Sequence, residues 1–381
     1  MRITIIQGAF FPVPPLRGGA VEKMWFRLGQ EFVAAGESLT QISRRCDGLA
    51  ARETIEGVEH WRLPGFDTPR SLLLLKWLDL RYTFRVYRLL RTLPRPDILI
   101  MNTFWAPILL RGKQSRAVTV VDFARMPKGQ VRYYAHVSCL RVNSEAVRKA
   151  VVREYPEIAD KVRLIPNPLP FSPPREIPWH RKERVLLYAG RVHPEKGLHL
   201  LAPAWRELSG QFPGWRLEIA GPWDVERGGG GESYRRKLIR LFGNSPVQWH
   251  GLLGDADQLQ KLYESSSLFL YPSVAEQGET FGLAPLEAMA YGSVPILSSL
   301  DCFAEFALAG ENCWIFNHRG SGAEDRLCTT LEEAMQAMAN PAPHPRALAA
   351  AATAHAFDPS RVATSFLKLF QSLRQKTESG M

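Results

Sequence analysis

A stiff break divides this chain near its middle. The stretch from Pro166 to Pro178 holds six prolines in thirteen residues, and proline continues neither a helix nor a central strand. On each side of the break, short β-branched runs alternate with longer amphipathic ones, a pattern typical of parallel sheets covered by helices. The 381 residues also exceed what one ordinary hydrophobic core accommodates. The sequence therefore predicts two α/β domains in series.

The predicted boundaries follow from these runs. We expect an N-terminal Rossmann-like domain over 1–167, a linker over 168–182, a second Rossmann-like domain over 183–357 and a closing helix over 358–381 along the domain junction. Ligands of open α/β sheets bind beyond the carboxyl ends of strands, so two domains facing each other would bind a ligand in the cleft between them. The predicted strands are Arg2–Gln7, Leu39–Ser43, Asp97–Asn102, Ala117–Asp122, Val137–Asn143, Val162–Ile165, Arg184–Ala189, Trp215–Ala220, Val247–His250, Leu268–Tyr271, Val294–Leu297 and Cys313–Phe316.

Charge and cysteine usage limit the partners and the compartment. The net charge of +10 favours anionic partners, but the basic residues form no single run and no nucleic-acid motif is present, so we predict no nucleic-acid binding. The five cysteines lack C-x-x-C spacing and indicate free thiols in a reducing cytoplasm. We also recognise no signal-peptide pattern and no apolar run of about 20 residues. The sequence predicts a cytoplasmic protein.

One amphipathic run leaves two interpretations open. Between Ser71 and Leu93, leucines and aromatics recur at helical spacing, interleaved with cationic side chains. A helix of this kind can lie on an anionic membrane, which would make the protein peripheral at the inner membrane face. It can equally be a domain helix whose cations are in water. The cations are Lys76, Arg81, Arg85, Arg88 and Arg91.

Two carboxylates give the chain its most informative motif. Glu279 and Glu287 flank Phe281-Gly282, a spacing that places the first at a loop end and the second two turns into the following helix. Gly282 falls where that helix would begin, and free N–H groups at helix N-termini bind anions. Two carboxylates that can accept hydrogen bonds from sugar hydroxyls, with N–H donors for a phosphate between them, suggest a nucleotide-sugar site. Two alternatives stay open: Glu279 can be an ordinary loop acid, and Glu287 can be an ion-pair partner on the helix face. Nearby Glu276 is interpreted as solvated.

Cations and glycines elsewhere in the chain fit a diphosphate. Arg191 and Lys196 lie on the loop after the strand that ends at Ala189, where a guanidinium fork and an ammonium suit phosphate oxygens. Gly18 and Gly19 precede a helix and would let backbone N–H groups approach an anion, although a plain flexible loop explains them as well. The sequence has no cluster with metal-ligand spacing, so we predict no metal site.

Together these residues resemble the retaining GT-B glycosyltransferases of family GT4. The segments IPNPL, AGRVHPEKG, LFLYPS and ETFGLAPLEAMAYGSVPI occur in the family's order, and the E-x7-E pattern is the most specific of them. The resemblance implies two Rossmann-like domains facing across a cleft, a nucleotide diphosphate sugar as donor, and neither cofactor nor metal. It also implies a role for each site residue: Arg191, Lys196, Gly18 and Gly19 at the diphosphate, Glu279 at the transferred sugar, backbone contacts from Phe281, Gly282 and Leu283, and Glu287 at the ribose.

The chain departs from the family at two places. Val121 stands where the family commonly has a histidine that touches the donor sugar, and the stretch from Asp122 to Ser144 is short. We predict a glycosyltransferase (EC 2.4) of polysaccharide biosynthesis, with a glycan, lipid-linked or small-molecule acceptor. A nucleotide-sugar-binding protein without transfer activity is the alternative that Val121 favours. An epimerase or phosphorylase of the same architecture ranks lower.

Overall fold

The chain folds into two compact units. The computed structural model describes residues 1–16, 19–69, 71–111, 117–254, 256–339 and 343–379. The first unit is Met1–Phe171 with Phe357–Met381, and the second is Ser172–Ala356. Each unit has a sheet of largely parallel strands covered by helices, which confirms the predicted α/β class.

The first unit is built on an eight-stranded sheet. Its strands are β1 Arg2–Ile6, β2 Ser38–Arg44, β3 Arg52–Ile55, β4 Val58–Leu63, β5 Ile98–Met101, β6 Val118–Phe123, β7 Cys139–Val142 and β8 Val162–Leu164. Its first helices are α1 Ala20–Ala34, α2 Leu72–Leu90, α3 Ala106–Leu109 and α4 Glu145–Glu154, and the C-terminal helix Pro359–Ser379 completes it. The strand order is β3-β4-β2-β1-β5-β6-β7-β8, with β3 antiparallel to β4. The direction of winding reverses between β1 and β5, as in doubly wound sheets.

The second unit is built on a six-stranded parallel sheet. Its strands are β9 Glu183–Ala189, β10 Arg216–Ala220, β11 Val247–Gly251, β12 Ser266–Tyr271, β13 Val294–Ser298 and β14 Trp314–Phe316. Its helices are α5 Leu198–Gln211, α6 Gly231–Phe242, α7 Ala256–Ser265, α8 Leu283–Ala290, α9 Ala323–Ala337 and α10 Pro345–Ala354. The order β11-β10-β9-β12-β13-β14 reverses between β9 and β12. Ligands of doubly wound sheets bind at such a reversal, beyond the carboxyl ends of the strands.

All twelve predicted strands are present, with ends shifted by at most two residues. The sequence interpretation missed the hairpin of β3 and β4, which turns at Glu56 (φ 47°) and Gly57 (φ 79°). Two positive φ angles in a two-residue loop are typical of hairpin turns. The side chains of β3 alternate between exposed and half-buried, so this edge strand lacks the apolar run that identified the others.

The C-terminal helix contributes to the core of the first unit. Phe366 and Phe370 are fully buried beside Trp25 and Phe32 of α1, and the ring centroids of Trp25 and Phe366 are 5.2 Å apart. The helical spacing of its apolar residues is therefore explained by burial against α1. Its predicted position along the domain junction stays a prediction. No helix in the described part of the chain is at once long enough and apolar enough for a membrane span.

Candidate functional site

Three polar side chains meet where the strand order of the second unit reverses. Lys196 follows β9, Tyr271 ends β12, and Glu279 lies in the loop after β12. The Lys196 Nζ donates to Glu279 Oε2 at 2.7 Å and to the Tyr271 hydroxyl at 2.9 Å. The Tyr271 hydroxyl in turn donates to Glu279 Oε2 at 2.9 Å. A cation, a phenol and a carboxylate thus form one hydrogen-bonded group at the edge where such sheets bind ligands.

The backbone holds these residues through a close approach of two loops. Lys196 ends a 3₁₀ turn, and the following Gly197 has φ 73°. A Cβ atom at Gly197 would lie 1.9 Å from the carbonyl oxygen of Pro272, so only glycine fits there. The Val274 N–H also donates to the Glu195 carbonyl at 2.9 Å. These contacts fix the loop that carries Lys196 against the loop that leads to Glu279.

The acids of the E-x7-E motif lie as their spacing predicts, one in the loop and one in helix α8. Gly282 precedes α8 with φ 88°, and a Cβ atom there would lie 2.6 Å from the Phe303 ring. The side chain of Phe281 is buried, which leaves its backbone for the predicted ligand contacts. Glu287 is half-buried in α8 and accepts a hydrogen bond from the Tyr263 hydroxyl at 3.1 Å. Leu283 begins the helix.

Arg191 has partners other than the carboxylate of the motif. Its guanidinium donates to Glu195 Oε1 at 2.8 Å and to the Gly228 carbonyl at 2.7 Å. The Gly230 N–H donates to the Val192 carbonyl at 2.8 Å. The glycine-rich stretch at 228–231 is therefore tied to the loop of Arg191. The structure brings Lys196 and Glu279 into direct contact and places Arg191 on the same loop with a partner of its own.

Glu276, interpreted from the sequence as solvated, is exposed and also has ion-pair partners. Its Oε1 lies 2.8 Å from Arg319 Nε, and its Oε2 lies 3.1 Å from Arg319 Nη2. His318 Nε2 lies 3.0 Å from the same carboxylate. The sequence did not indicate these partners, because they lie more than forty positions away after β14 and no local spacing relates them to Glu276. Sequence reasoning also assigned no role to Tyr271, although the motif LFLYPS contains it.

The glycines of the first unit precede helix α1. Gly18 lies outside the described residues. Gly19 has φ 96° directly before α1, and a Cβ atom there would lie 2.2 Å from Glu22 Oε2. Glu22 thus folds back over the start of its own helix, and burial raises the pKa of its carboxyl. The predicted contact of Gly19 with a diphosphate stays a prediction.

A cavity of about 510 Å³ lies at the strand-order reversal of the first unit. It is lined by residues that follow β1, β5 and β6 and by helix α2. Val121 and Asp79 are among the lining residues. Burial raises the pKa of the Asp79 carboxyl from 3.8 to about 6, although the backbone N–H groups of Phe104 and Trp105 donate to its Oδ2.

A fully buried ion pair holds the wall of this cavity. Asp122 accepts from Arg141 Nη1 at 2.8 Å and from Trp25 Nε1 at 2.9 Å. Arg141 also donates to the Ile165 carbonyl at 2.8 Å and to Asn167 Oδ1 at 2.9 Å. Both charges are therefore paired and hydrogen-bonded, as buried ions must be to be tolerated. Within the described ranges, no three His, Cys, Asp or Glu side chains are grouped to hold a metal ion.

Solved structures identify the class of fold. The chain is similar over 97% of its length, with a TM-score of 0.76 and 20% identity, to sucrose-phosphate synthase from Thermosynechococcus elongatus, of which 98% is covered. It is similar over 98% of its length, with a TM-score of 0.72 and 17% identity, to HepE of Anabaena in complex with UDP, of which 100% is covered. The chain therefore has the GT-B fold of glycosyltransferases, which confirms the predicted fold class.

Sequence comparison finds a family match within the second unit. Residues 174–337 match the family described as Glycosyl transferases group 1. A segment of 129 residues is 32% identical to the lipopolysaccharide 1,2-N-acetylglucosaminetransferase of Salmonella typhimurium, covering 33% of each protein. The chain spans 33%, 45% and 56% of the lengths of three curated relatives it matches.

Proposed function

We propose that this chain is a retaining glycosyltransferase that moves a sugar from a nucleotide diphosphate donor to an acceptor hydroxyl without a metal ion. The observation that carries the proposal is the contact of Lys196 with Glu279 at the strand-order reversal of the second unit, inside the matched family segment. An ammonium attracts a diphosphate, and a carboxylate accepts hydrogen bonds from sugar hydroxyls. The pair therefore suits the two halves of a nucleotide sugar.

In the proposed reaction, the bond between the sugar C1 and a phosphate oxygen breaks. The acceptor oxygen forms its bond to C1 on the same face, and the acceptor proton passes to the departing phosphate, so no protein base is needed. Lys196 has one N–H beyond its two described contacts, and that donor would stabilise the charge that develops on the leaving diphosphate. Arg191 is exposed and would exchange Glu195 for the diphosphate.

The remaining donor contacts follow the motif. Glu287 would bind the ribose, and the start of α8 at Gly282 and Leu283 would direct backbone N–H groups at the phosphates. HepE of Anabaena was solved with UDP, which supports a nucleotide donor. We propose a glycan, lipid-linked or small-molecule acceptor, since the Salmonella relative acts, by its name, on lipopolysaccharide.

The test is a panel of UDP-, GDP- and ADP-sugars with acceptor extracts, run with and without EDTA, on wild type and two variants. Glu279→Gln should lose at least a hundredfold of donor turnover because the amide no longer carries the charge next to Lys196. Glu232→Gln is the matched control, since Glu232 is an exposed acid on α6 paired with neighbouring arginines. Loss of turnover with EDTA, or full activity of Glu279→Gln, would contradict the proposal.

The alternative is a nucleotide-sugar-binding protein without transfer activity. Val121 favours it, because an apolar side chain lines the cavity of the first unit where the family commonly has a histidine. The same panel separates the two, since ligand binding raises the melting temperature by mass action. Donors that raise the melting temperature but are neither hydrolysed nor transferred would establish the alternative.

We also propose a cytoplasmic protein that contacts an anionic membrane surface through helix α2. Arg81 and Arg88 are exposed on this helix, and Arg85 is half-buried. Each cation in such a cluster contributes about 1 kcal/mol to the free energy of binding to an anionic lipid surface. Co-sedimentation with phosphatidylglycerol vesicles should fall when the three arginines are replaced by glutamine, and absence of co-sedimentation by wild type would refute the contact.

A further inference from the structure

The loop at 272–279, between β12 and α8, contains a second acid besides Glu279. We call this segment the acid loop. Glu276 lies three residues before Glu279. The N–H groups of Gly278 and Glu279 both donate to the Ala275 carbonyl, at 3.1 and 2.9 Å, so the two acids belong to one closed backbone turn. A displacement of Glu276 is therefore transmitted to Glu279 through a single turn of backbone.

A buried histidine holds the second acid of the acid loop. His318 follows β14, and its side chain is 3% exposed. Its Nε2 lies 3.0 Å from Glu276 Oε1, and because an ionised carboxylate only accepts hydrogen bonds, this nitrogen is the donor. The other ring nitrogen, Nδ1, lies 3.2 Å from the Ser299 hydroxyl just after β13. His318 thus connects the acid loop to the loops that follow the two neighbouring strands.

The next residue binds the same carboxylate at two points. Arg319 Nε lies 2.8 Å from Glu276 Oε1, and Arg319 Nη2 lies 3.1 Å from Oε2, a pairing that fixes orientation as well as position. Both side chains are 47% exposed, and an isolated surface pair of this kind is weak. The anchor therefore depends on the buried imidazole of His318 beside the ion pair.

Helix α9 supports the loop that contains this histidine. Three guanidinium nitrogens of Arg326 on α9 donate to carbonyl oxygens of the loop at 2.7, 2.7 and 2.9 Å. These carbonyls belong to Asn317, Arg319 and Ser321. His318 is therefore held by a helix of the second unit, and through it Glu276 is attached to a regular element instead of another loop.

We propose that His318 is a positioning residue for the transferred sugar, since through Glu276 it fixes the acid loop and with it the carboxylate of Glu279. This inference rests on the proposed function and adds to it a residue that acts through another. Lys196 and Tyr271 bind the Glu279 carboxylate directly, whereas His318 holds the backbone turn behind it. Both are needed, because a misplacement of about 1 Å at a reacting group costs up to about a hundredfold in rate.

Two amide substitutions separate this role from a merely structural one. In His318→Gln the amide nitrogen can occupy the place of Nε2 and donate to Glu276, whereas in His318→Asn the shorter side chain reaches only the place of Nδ1 beside Ser299. Glu276→Ala removes the acceptor itself. The matched control is Glu145→Ala, since Glu145 on α4 of the first unit pairs with Arg148 at two points, at 2.6 and 2.7 Å.

Titration calorimetry compares UDP, GDP and ADP with UDP-glucose, GDP-mannose and ADP-glucose on wild type and each variant. His318→Asn and Glu276→Ala should weaken binding of the nucleotide sugar by about tenfold, the effect of one hydrogen bond to a charged group. They should lower kcat of transfer by about ten- to a hundredfold. Binding of the nucleoside diphosphate should stay within about twofold, because the loop of Lys196 is held at Pro272 and Val274. His318→Gln and Glu145→Ala should behave like wild type.

Hydrogen exchange of the Gly278 and Glu279 amides gives a second measurement that needs no donor. Both amides should exchange faster in His318→Asn and Glu276→Ala but not in His318→Gln, since local opening exposes their N–H groups. Unchanged exchange in His318→Asn overturns the inference. So does a His318→Gln defect as large as that of His318→Asn, or an equal loss of affinity for nucleotide sugars and nucleoside diphosphates.

The two measurements also distinguish this inference from the proposed function. Wild type that binds none of these probes but shows the expected exchange rates would contradict the proposed function alone. Transfer that is unaffected by His318→Asn and Glu276→Ala would contradict this inference alone.

Discussion

Replacing Lys196 by methionine tests the central claim about the second unit. Lys196 is 7% exposed, so its interaction with a bound diphosphate would be only partly screened by water. Two unit charges about 4 Å apart interact by about 4 kcal/mol at an effective dielectric constant near 20. Removing that stabilisation from the transition state lowers the rate by about 10³. We expect Lys196→Met to lose about three orders of magnitude in kcat/KM.

The assay follows release of the nucleoside diphosphate at several donor concentrations, so that kcat and KM are separated. A charge that acts on the developing leaving group lowers kcat, whereas one that only binds the ground state raises KM. Tyr271→Phe removes the hydroxyl shared by Lys196 and Glu279 but no charge, so it should lose only about tenfold.

Arg236→Met is the control for a lost cation. Arg236 is exposed on α6, and its Nε lies 3.4 Å from Glu232, a surface pair worth about 0–1 kcal/mol. It should keep wild-type turnover. Lys196→Met within tenfold of wild type would refute the reasoning, and so would a Tyr271→Phe defect as large as that of Lys196→Met. In the second case the geometry of the group, not the charge, would carry the effect.

Three further changes test the fold around the sites. Arg141→Met leaves Asp122 buried without its cation and should lower the free energy of unfolding by about 3–5 kcal/mol in urea titrations; a loss below about 1 kcal/mol would show that the pair is not buried. Because burial raises the folded pKa of Asp79 from 3.8 to about 6, the folded state holds this proton more tightly, so stability falls by up to about 3 kcal/mol as pH rises through that window. Asp79→Asn should flatten the dependence of the free energy of unfolding on pH between pH 4 and 6. An unchanged slope would contradict the assignment of this dependence to Asp79. Gly282→Ala should destabilise by more than Gly36→Ala in thermal unfolding, since both glycines have φ 88° but only the first meets a neighbouring ring; equal losses would place the whole effect in the backbone.

The sequence predicted the sheets well because buried parallel strands leave a strong local signal. Runs such as Leu268–Tyr271 are apolar on both faces, as strands covered by helices on both sides must be. The β3–β4 hairpin has no such signal, because its side chains alternate between more exposed and more buried positions. Its turn is Glu56-Gly57, whereas Asn-Gly or Asp-Gly is commoner in hairpins.

The candidate site was predictable in part. Lys196 and Glu279 lie 83 positions apart, but each follows a strand, and neighbouring parallel strands bring such loops to one edge. No comparable rule pairs Glu276 with Arg319, because the contact depends on how the loop after β14 turns. The partner of Arg191 is Glu195, which lies only four residues further along the same loop.

The two strand-order reversals differ in charge, and this difference predicts how salt acts on each ligand. The reversal in the second unit has Lys196 and Arg191 nearby, whereas the cavity in the first unit is lined by aromatic rings, by the carboxyls of Glu22, Asp79 and Asp122 and by the guanidinium of Arg125. Salt shortens the Debye length from about 10 Å at 0.1 M to about 3 Å at 1 M, so it should weaken binding of a nucleotide diphosphate severalfold. Binding of an uncharged glycoside in the cavity of the first unit involves no ion pair and should hold constant or tighten. Calorimetric titrations of both ligands at 0.05 M and 0.5 M salt compare the two directly. Equal salt dependence would mean that charge does not separate a phosphate-binding unit from a hydroxyl-binding one.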